Sequence, residues 1–282
     1  MTEWYQVRFR LTGNLHVGSG RWGFVLPCRP YLPGWTLWGA LVVLLKQNGR
    51  WPGGYGELGR AVNEQCWLGH LFLEHGDGSR YLPSIAQARG GKTVFTWWQQ
   101  EDGKSVAHPA PTLFRHGVVR SSEQDQESLG RLFLTENVQN HTNGPYQLVG
   151  IFRFAGREKD LPLEQGDCLR VGGNRQVSGA EITCLAVEPI PAPLGNDTFL
   201  GYQHLCCEPA NNNLSLSGEV ERIVLRRTRN TDGEKSEGFG QHFIDWGSHL
   251  VPGWEAYGKI KYAPNYDEKN GFCHGTLRCL GV

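Results

Sequence analysis

The sequence predicts an α+β, β-rich fold, and three observations carry that expectation. The first is alternation near the start: Val7, Phe9 and Leu11 are apolar, while Arg8, Arg10 and Thr12 between them are polar, the period of a half-buried strand. The second is one strong helical run, Trp35 to Lys46, following the turn Tyr31-Leu32-Pro33-Gly34. The third is composition. The 282 residues include 38 glycines and 10 tryptophans, a loop- and strand-rich usage rather than that of a helical bundle.

The first strand runs into glycines at Gly13, Gly18 and Gly20. The helix has Lys46 in its last turn and Asn48-Gly49 to stop it. A helix that starts on a Pro-Gly turn offers unpaired N–H groups and a positive dipole end. Such a start either collects an anion or simply begins a helix. Residues 50–62 read as a glycine-broken loop, residues 63–75 as a short helix or strand, and Arg80 to Ser84 as a return strand.

Residues 92–120 read as a long hairpin, with Thr93 to Trp98 as strand formers and Glu101-Asp102-Gly103-Lys104 as the turn. Trp97 and Trp98 beside Arg115 and Arg120 suit either base stacking with phosphate pairing or ordinary core packing. Residues 121–160 read as two strands joined by a polar turn at 140–144. In residues 169–182, Gly172 and Gly173 free the backbone beside Arg170 and Arg175, which makes either a phosphate cradle or a tight hairpin with surface arginines. Pro189 to Asn196 is the best boundary in the chain. Beyond it, a strand from Gly218 leads through Arg226, Arg227 and Arg229 to Gly238-Phe239-Gly240 and His242. Residues 251–282 read as loop-rich.

Lys plus Arg and Asp plus Glu both number 28, so the formal net charge is zero. A freely acting nucleic-acid binder is usually basic overall, so any such role rests on local patches or on a subunit covered by neighbours. The first ten residues contain no apolar signal region, and Leu41 to Leu45 is far too short to span a bilayer. A cytoplasmic chain with reduced thiols and no membrane contact is therefore expected. The eight cysteines form no C-x-x-C pair, and His204, Cys206, Cys207, Cys273 and His274 fit no zinc spacing. No metal or other cofactor is expected.

Taken in order, these segments resemble the repeat-associated mysterious proteins, the RAMP superfamily of CRISPR effector subunits. Leu15 to Gly20 followed by Tyr31 to Val42 is similar to that family's glycine-ended first strand and its (I/L)-P-G-S-S-L-(K/R)-G-A-L helix start. Gly18, Pro33, Gly34, Leu37, Gly39, Ala40 and Leu41 match, while Trp35 and Trp38 replace a serine and a basic residue. Gly130, Leu132, Phe133, Glu136 and Val138 match a second family segment. Residues 169–182 resemble the family's glycine-rich loop, with Ala180-Glu181 in place of its last glycine. The basic run before Gly238-Phe239-Gly240 echoes a second such loop.

The resemblance implies a ferredoxin-like, RRM-like β-α-β-β-α-β unit with long inserted hairpins. It would occupy residues 1–188, with the insertion at about 90–160. Residues 189–282 would be a C-terminal extension or a second, degenerate unit of the same kind. It also implies a guide-RNA (crRNA) binding subunit of a type III interference complex, partnered by target RNA and other effector subunits. The residues it points to are His16, Arg21, Trp22, Arg29, Trp38, Arg115, Arg120, Arg170, Arg175, Arg226, Arg227, Arg229, Phe239 and His242. The loop from Arg21 to Pro30 holds no Asp, Glu or His, so it reads as gripping rather than cutting. Two other classes stay open. One is a metal-free endoribonuclease acting on guide precursor, with His16, His116 or His141 as base. The other is a lectin-like, β-rich binding module.

Overall fold

The computed structural model describes residues 3–18, 25–26, 28–29, 31–74, 80–82, 96–101, 104–109, 114–120, 132–138, 147–172, 180–192, 203–206, 215–217, 220–226, 243–252, 255–257 and 261–281. Strands β1 (Glu3–Thr12), β2 (Val25–Leu26) and β3 (Tyr31–Leu32) precede helices α1 (Gly34–Asn48) and α2 (Tyr55–Gln65). Then come β4 (Cys66–Leu68), β5 (Leu71–Glu74), β6 (Arg80–Leu82), β7 (Thr96–Glu101), β8 (Lys104–Pro109), β9 (Phe114–Arg120), β10 (Leu132–Val138) and β11 (Gln147–Phe154). After a short 3-10 turn at Glu158–Asp160 follow β12 (Cys168–Val171), β13 (Ala180–Ile190), β14 (His204–Cys206), β15 (Ser215–Ser217) and β16 (Val220–Arg226). The last strands are β17 (Phe243–Leu250), β18 (Glu255–Tyr257), β19 (Lys261–Asp267) and β20 (Gly271–Gly281).

The main sheet has the order β12-β13-β1-β11-β5-β6-β7-β8, with β3 on β5 and β4 on β11. Its central strand is β1, antiparallel to β11 on one side and to β13 on the other. The alternation read from the sequence decides how it is buried. Tyr5, Val7, Phe9 and Leu11 point to one face, where Leu37, Leu41, Leu45, Leu58 and Val62 of α1 and α2 cover them. Removing such side chains from water contributes about 1.5–3 kcal/mol each.

The opposite face is also covered, by a five-stranded sheet of order β16-β17-β14-β20-β19. Trp67, Phe72, Val149 and Ile151 of the main sheet pack there on Leu205, Leu250, Phe272 and Leu277. Trp67 is wholly buried and its indole N–H donates to the Thr276 carbonyl at 3.0 Å. The described core is thus helices on sheet on sheet.

Three expectations need correction. Residues 55–62, expected as part of a loop, lie in helix α2. The Glu57 carboxylate accepts from the Gly54 N–H at 2.7 Å, and Leu58 and Val62 supply a buried face. Residues 251–282 are dominated by the β19/β20 hairpin and contribute core. Only β7 and β8 form the hairpin expected at 92–120, because β9 leaves it to pair with β10. The two strands expected in residues 121–160 are β10 and β11, and they enter different sheets: β10 joins β2 and β9, and β11 lies beside β1. The turn at 140–144 lies outside the described residues.

Candidate functional site

Helix α1 begins at a buried point where three segments meet. A side chain at Gly34 would strike the Leu68 carbonyl and lie 2.8 Å from the Gly275 nitrogen, so only glycine fits. The Gly34 N–H donates to Nδ1 of His70 at 3.0 Å. The Thr36 and Leu37 N–H groups both reach the Pro33 carbonyl, at 2.9 and 3.1 Å. The helix start is therefore capped from within the chain, and an imidazole stands where an anion was the alternative.

This contact sets the direction of a longer chain of bonds. Nδ1 of His70 accepts, so Nε2 carries the proton and donates to Nδ1 of His204 at 2.7 Å. Nε2 of His204 then donates to Oε2 of Glu221 at 3.4 Å. Glu221 in turn receives both terminal nitrogens of Arg29, one of them at 2.9 Å. Arg29 also donates to the Tyr31 hydroxyl at 3.0 Å and lies 5.9 Å from the ring centres of Tyr31 and Trp35. The His70 N–H donates to the Gln203 side-chain oxygen at 2.6 Å. A buried polar row of this kind is stable because each member is satisfied.

The electrostatics follow from burial. His70 and His204 are both 0% exposed. Burial holds His70 well below the usual histidine range, and His204 and Arg29 push the same way. Burial brings His204 down to about 4 against the pull of Glu221. Burial alone would raise the Glu221 carboxyl, but the bonds from His204 and Arg29 outweigh it and lower it to about 2. Burial likewise works against the charge of Arg29, and Tyr31 and Glu221 more than restore it. At neutral pH the row reads neutral, neutral, anion, cation from His70 to Arg29.

The outer end opens on a cleft of about 440 Å³. Its walls are Val17 and Gly18 after β1, Arg29, Trp35 and Thr36 at the start of α1, Gly172 after β12, and Glu221 to Leu225 of β16. Gly172 has φ +84°, and a side chain there would meet the His16 carbonyl, so this close approach also requires glycine. Strand β16 is the edge of its sheet among the described residues. Arg222 is exposed and paired with Asp245, its Nε lying 3.0 Å from Oδ2.

The structure thus brings three of the sequence-predicted segments to one cleft: Gly18 with Arg29, Gly172, and the strand that leads into the basic run. His16 is half-buried beside Gly172. Arg170 is exposed on β12, opposite Glu181 and two positions before Gly172. Arg226 ends β16 one position past the cleft, opposite Phe243. Arg115 and Arg120 lie on β9, opposite Asn137 and Leu132.

Trp38 is placed elsewhere: its N–H donates to the Gly59 carbonyl at 3.4 Å and its ring stacks on His274 at 6.1 Å, so it packs α1 against α2 and β20. Arg29 is held by protein groups and only 12% of its side chain is exposed. Arg21, Trp22, Arg175, Arg227, Arg229, Phe239 and His242 lie outside the described residues. Sequence reasoning missed His70, Gln203 and Glu221, and it placed His204 only with the zinc candidates. His204 faces His70 and Glu221, whereas His274 accepts from the Leu68 N–H and donates to Asn63 at 2.9 Å. Among the described residues no group of three or more His, Cys, Asp or Glu could hold a metal ion. None of their helices is long and apolar enough to cross a membrane.

No family model and no curated protein matches the chain. Among solved structures it is similar to a chain of the Type III-B Cmr-beta bound to cognate target RNA and AMPPnP, determined by cryo-electron microscopy. The TM-score is 0.55 at 10% identity, over 88% of this chain and 84% of that one. A chain of the Type III-B Cmr-beta bound to cognate target RNA aligns over 88% of this chain and 85% of that one, at 12% identity and TM-score 0.46. At such low identity the first likeness is one of fold, and it spans most of both chains.

Proposed function

We propose that this chain is a guide-RNA-binding structural subunit of a type III CRISPR RNA-guided complex. It would grip the strand by backbone and shape and leave sequence to base pairing. The observation that carries this is convergence. Gly18 with Arg29, Gly172, and Glu221 to Leu225 come from distant parts of the chain and line one cleft. Gly18 and Arg29 flank the loop expected to grip RNA, Gly172 opens the glycine-rich loop, and residues 221–225 lead into the basic run that begins at Arg226. The fold shared with a chain of a target-RNA-bound assembly supports the same reading.

The unit behind it is read as ferredoxin-like. Strands β13, β1, β11 and β5 line up as the last, first, third and second strands of a β-α-β-β-α-β unit, all antiparallel. Helices α1 and α2 follow the first strand, and a 3-10 turn and β12 stand where the second helix would be. Residues 189–282 then act as an extension that backs the sheet and supplies the β16 wall of the cleft. Target RNA and other effector subunits are the remaining partners, in the cytoplasm. Zero net charge suits a part largely covered by neighbours. The role is to hold RNA rather than cut it.

The test is to assemble the complex with Arg170→Ala plus Arg175→Ala, and separately with Arg226→Ala plus Arg227→Ala. Each pair should lower the guide RNA recovered while leaving thermal stability unchanged. The salt slope of binding should fall by about 1 for each phosphate contact removed. Guide recovery at the wild-type level with both pairs would defeat the reading.

A further inference from the structure

The cleft presents a conflict that the proposed function does not remove. A strand of phosphates needs cations, yet the cation deepest in the cleft, Arg29, is already neutralised by Glu221. Glu221 is 31% exposed at its side chain, so it meets whatever enters. A carboxylate in that wall repels a phosphodiester and occupies the guanidinium that would bind it. Glu221 has a second partner, however. The His204 N–H donates to the same oxygen, Oε2, that receives one of the Arg29 nitrogens. His204 is fixed from behind by His70, which is fixed by the helix start. Glu221 can therefore release Arg29 and still be held.

Resting on the RNA-binding reading, we propose that Glu221 is a carboxylate gate on the cleft. In the chain alone it holds Arg29, and on binding it yields the guanidinium to one phosphodiester of the guide strand while keeping its bond from His204. The guanidinium is suited to this exchange, since its planar fork binds carboxylate and phosphate with the same two-nitrogen geometry. The gate would weaken binding of any stray strand that does not place a phosphate at Arg29. It adds selectivity for a strand already threaded along the glycine-rich loops.

The experiment uses the full chain and a short, unstructured single-stranded RNA, with affinity read by fluorescence anisotropy at fixed salt. Glu221→Gln keeps one oxygen that can accept from His204 and one Arg29 nitrogen but removes the charge and the second acceptor of Arg29. It should tighten binding roughly tenfold. The same change in an Arg29→Gln background should give almost none of that gain, because the gain acts through Arg29. In the unsubstituted chain, the nitrogen NMR signals of the Arg29 guanidinium should shift on adding RNA, which tests the exchange without any variant. If Glu221→Gln leaves affinity unchanged, or the Arg29 signals stay still while RNA binds, the gate is wrong. Should the two paired arginine substitutions weaken binding in that same assay, the RNA-binding reading survives without the gate. If neither they nor Glu221→Gln changes affinity, both ideas fall together.

Discussion

Gly275→Ala should remove at least about 3 kcal/mol of stability and lower the melting temperature by about 10 °C. Gly275 sits in β20 at φ +74°, which by itself costs an alanine about 1 kcal/mol. The larger cost is contact. The new methyl would lie within the His70 imidazole, only 3.0 Å even from Nε2. That ring cannot step aside cheaply. It accepts from Gly34, donates to His204, and is wholly buried between Tyr31, Trp35 and Phe72. Moving it leaves buried polar groups unsatisfied, at about 1–3 kcal/mol each. Gly49→Ala is the control. It carries φ +62° at the end of α1 with nothing within 4 Å, so it should cost only about 1 kcal/mol. Thermal or denaturant unfolding checks both, and a Gly275→Ala chain as stable as Gly49→Ala would refute the packing described.

Acidification should unfold the chain progressively from about pH 6.5 downward, before most carboxylates protonate. His70, His204 and His274 are buried neutral, each held by burial below the ordinary 6.5, with His204 at about 4 and His274 at about 3. In the unfolded chain they bind protons below 6.5, while in the folded chain they do not until pH reaches those lower values. The unfolded state therefore holds more protons throughout that window. Their contribution is full above pH 6.5 and is lost as pH falls toward 4 and 3. Each histidine gives up to about 1.4 kcal/mol per pH unit, so three give about 4. Below 4.5 Glu221 adds to the loss, because its folded value of about 2 lies under the ordinary 4.5. Denaturant midpoints measured from pH 7.5 to 4 should fall steeply with unchanged slope. His274→Gln keeps a donor and an acceptor for Asn63 and Leu68 and should flatten the profile by about one third. A midpoint that is level from pH 7 to 4.5 would contradict the buried neutral row.

What could be seen in advance was local. The alternation at Val7, Phe9 and Leu11, and the Pro33-Gly34 and Asn48-Gly49 ends of α1, are short-range signals, and the structure follows them. Helix α2 was hidden because Gly53, Gly54, Gly56 and Gly59 read as breakers. Its stability comes from Glu57 at its start and from packing on α1 and β20. Glycines also masked β20. Gly271 and Gly275 are there because Asn63 and His70 leave no room for a side chain. The buried row has no local pattern at all. Its bonds join residues 36, 134 and 17 positions apart, and Arg29 meets Glu221 across 192. The Pro-Gly turn and the Gly172-Gly173 segment were legible one by one; that Gly18, Arg29, Gly172 and β16 share a cleft is a property of the fold.

The most direct test of the central claim is to map where RNA touches this chain. The chain is assembled with its guide RNA, irradiated to cross-link RNA to protein, digested and sequenced by mass spectrometry. Cross-links are expected in peptides covering residues 15–36, 169–180 and 220–243, which contain the cleft-lining Gly18, Arg29, Gly172 and Glu221 to Leu225, and should be lost when Arg170, Arg175, Arg226 and Arg227 are all replaced by alanine. Cross-links confined to other surfaces, or none from an assembly that retains its guide, would contradict the assignment of this cleft as the RNA-gripping site.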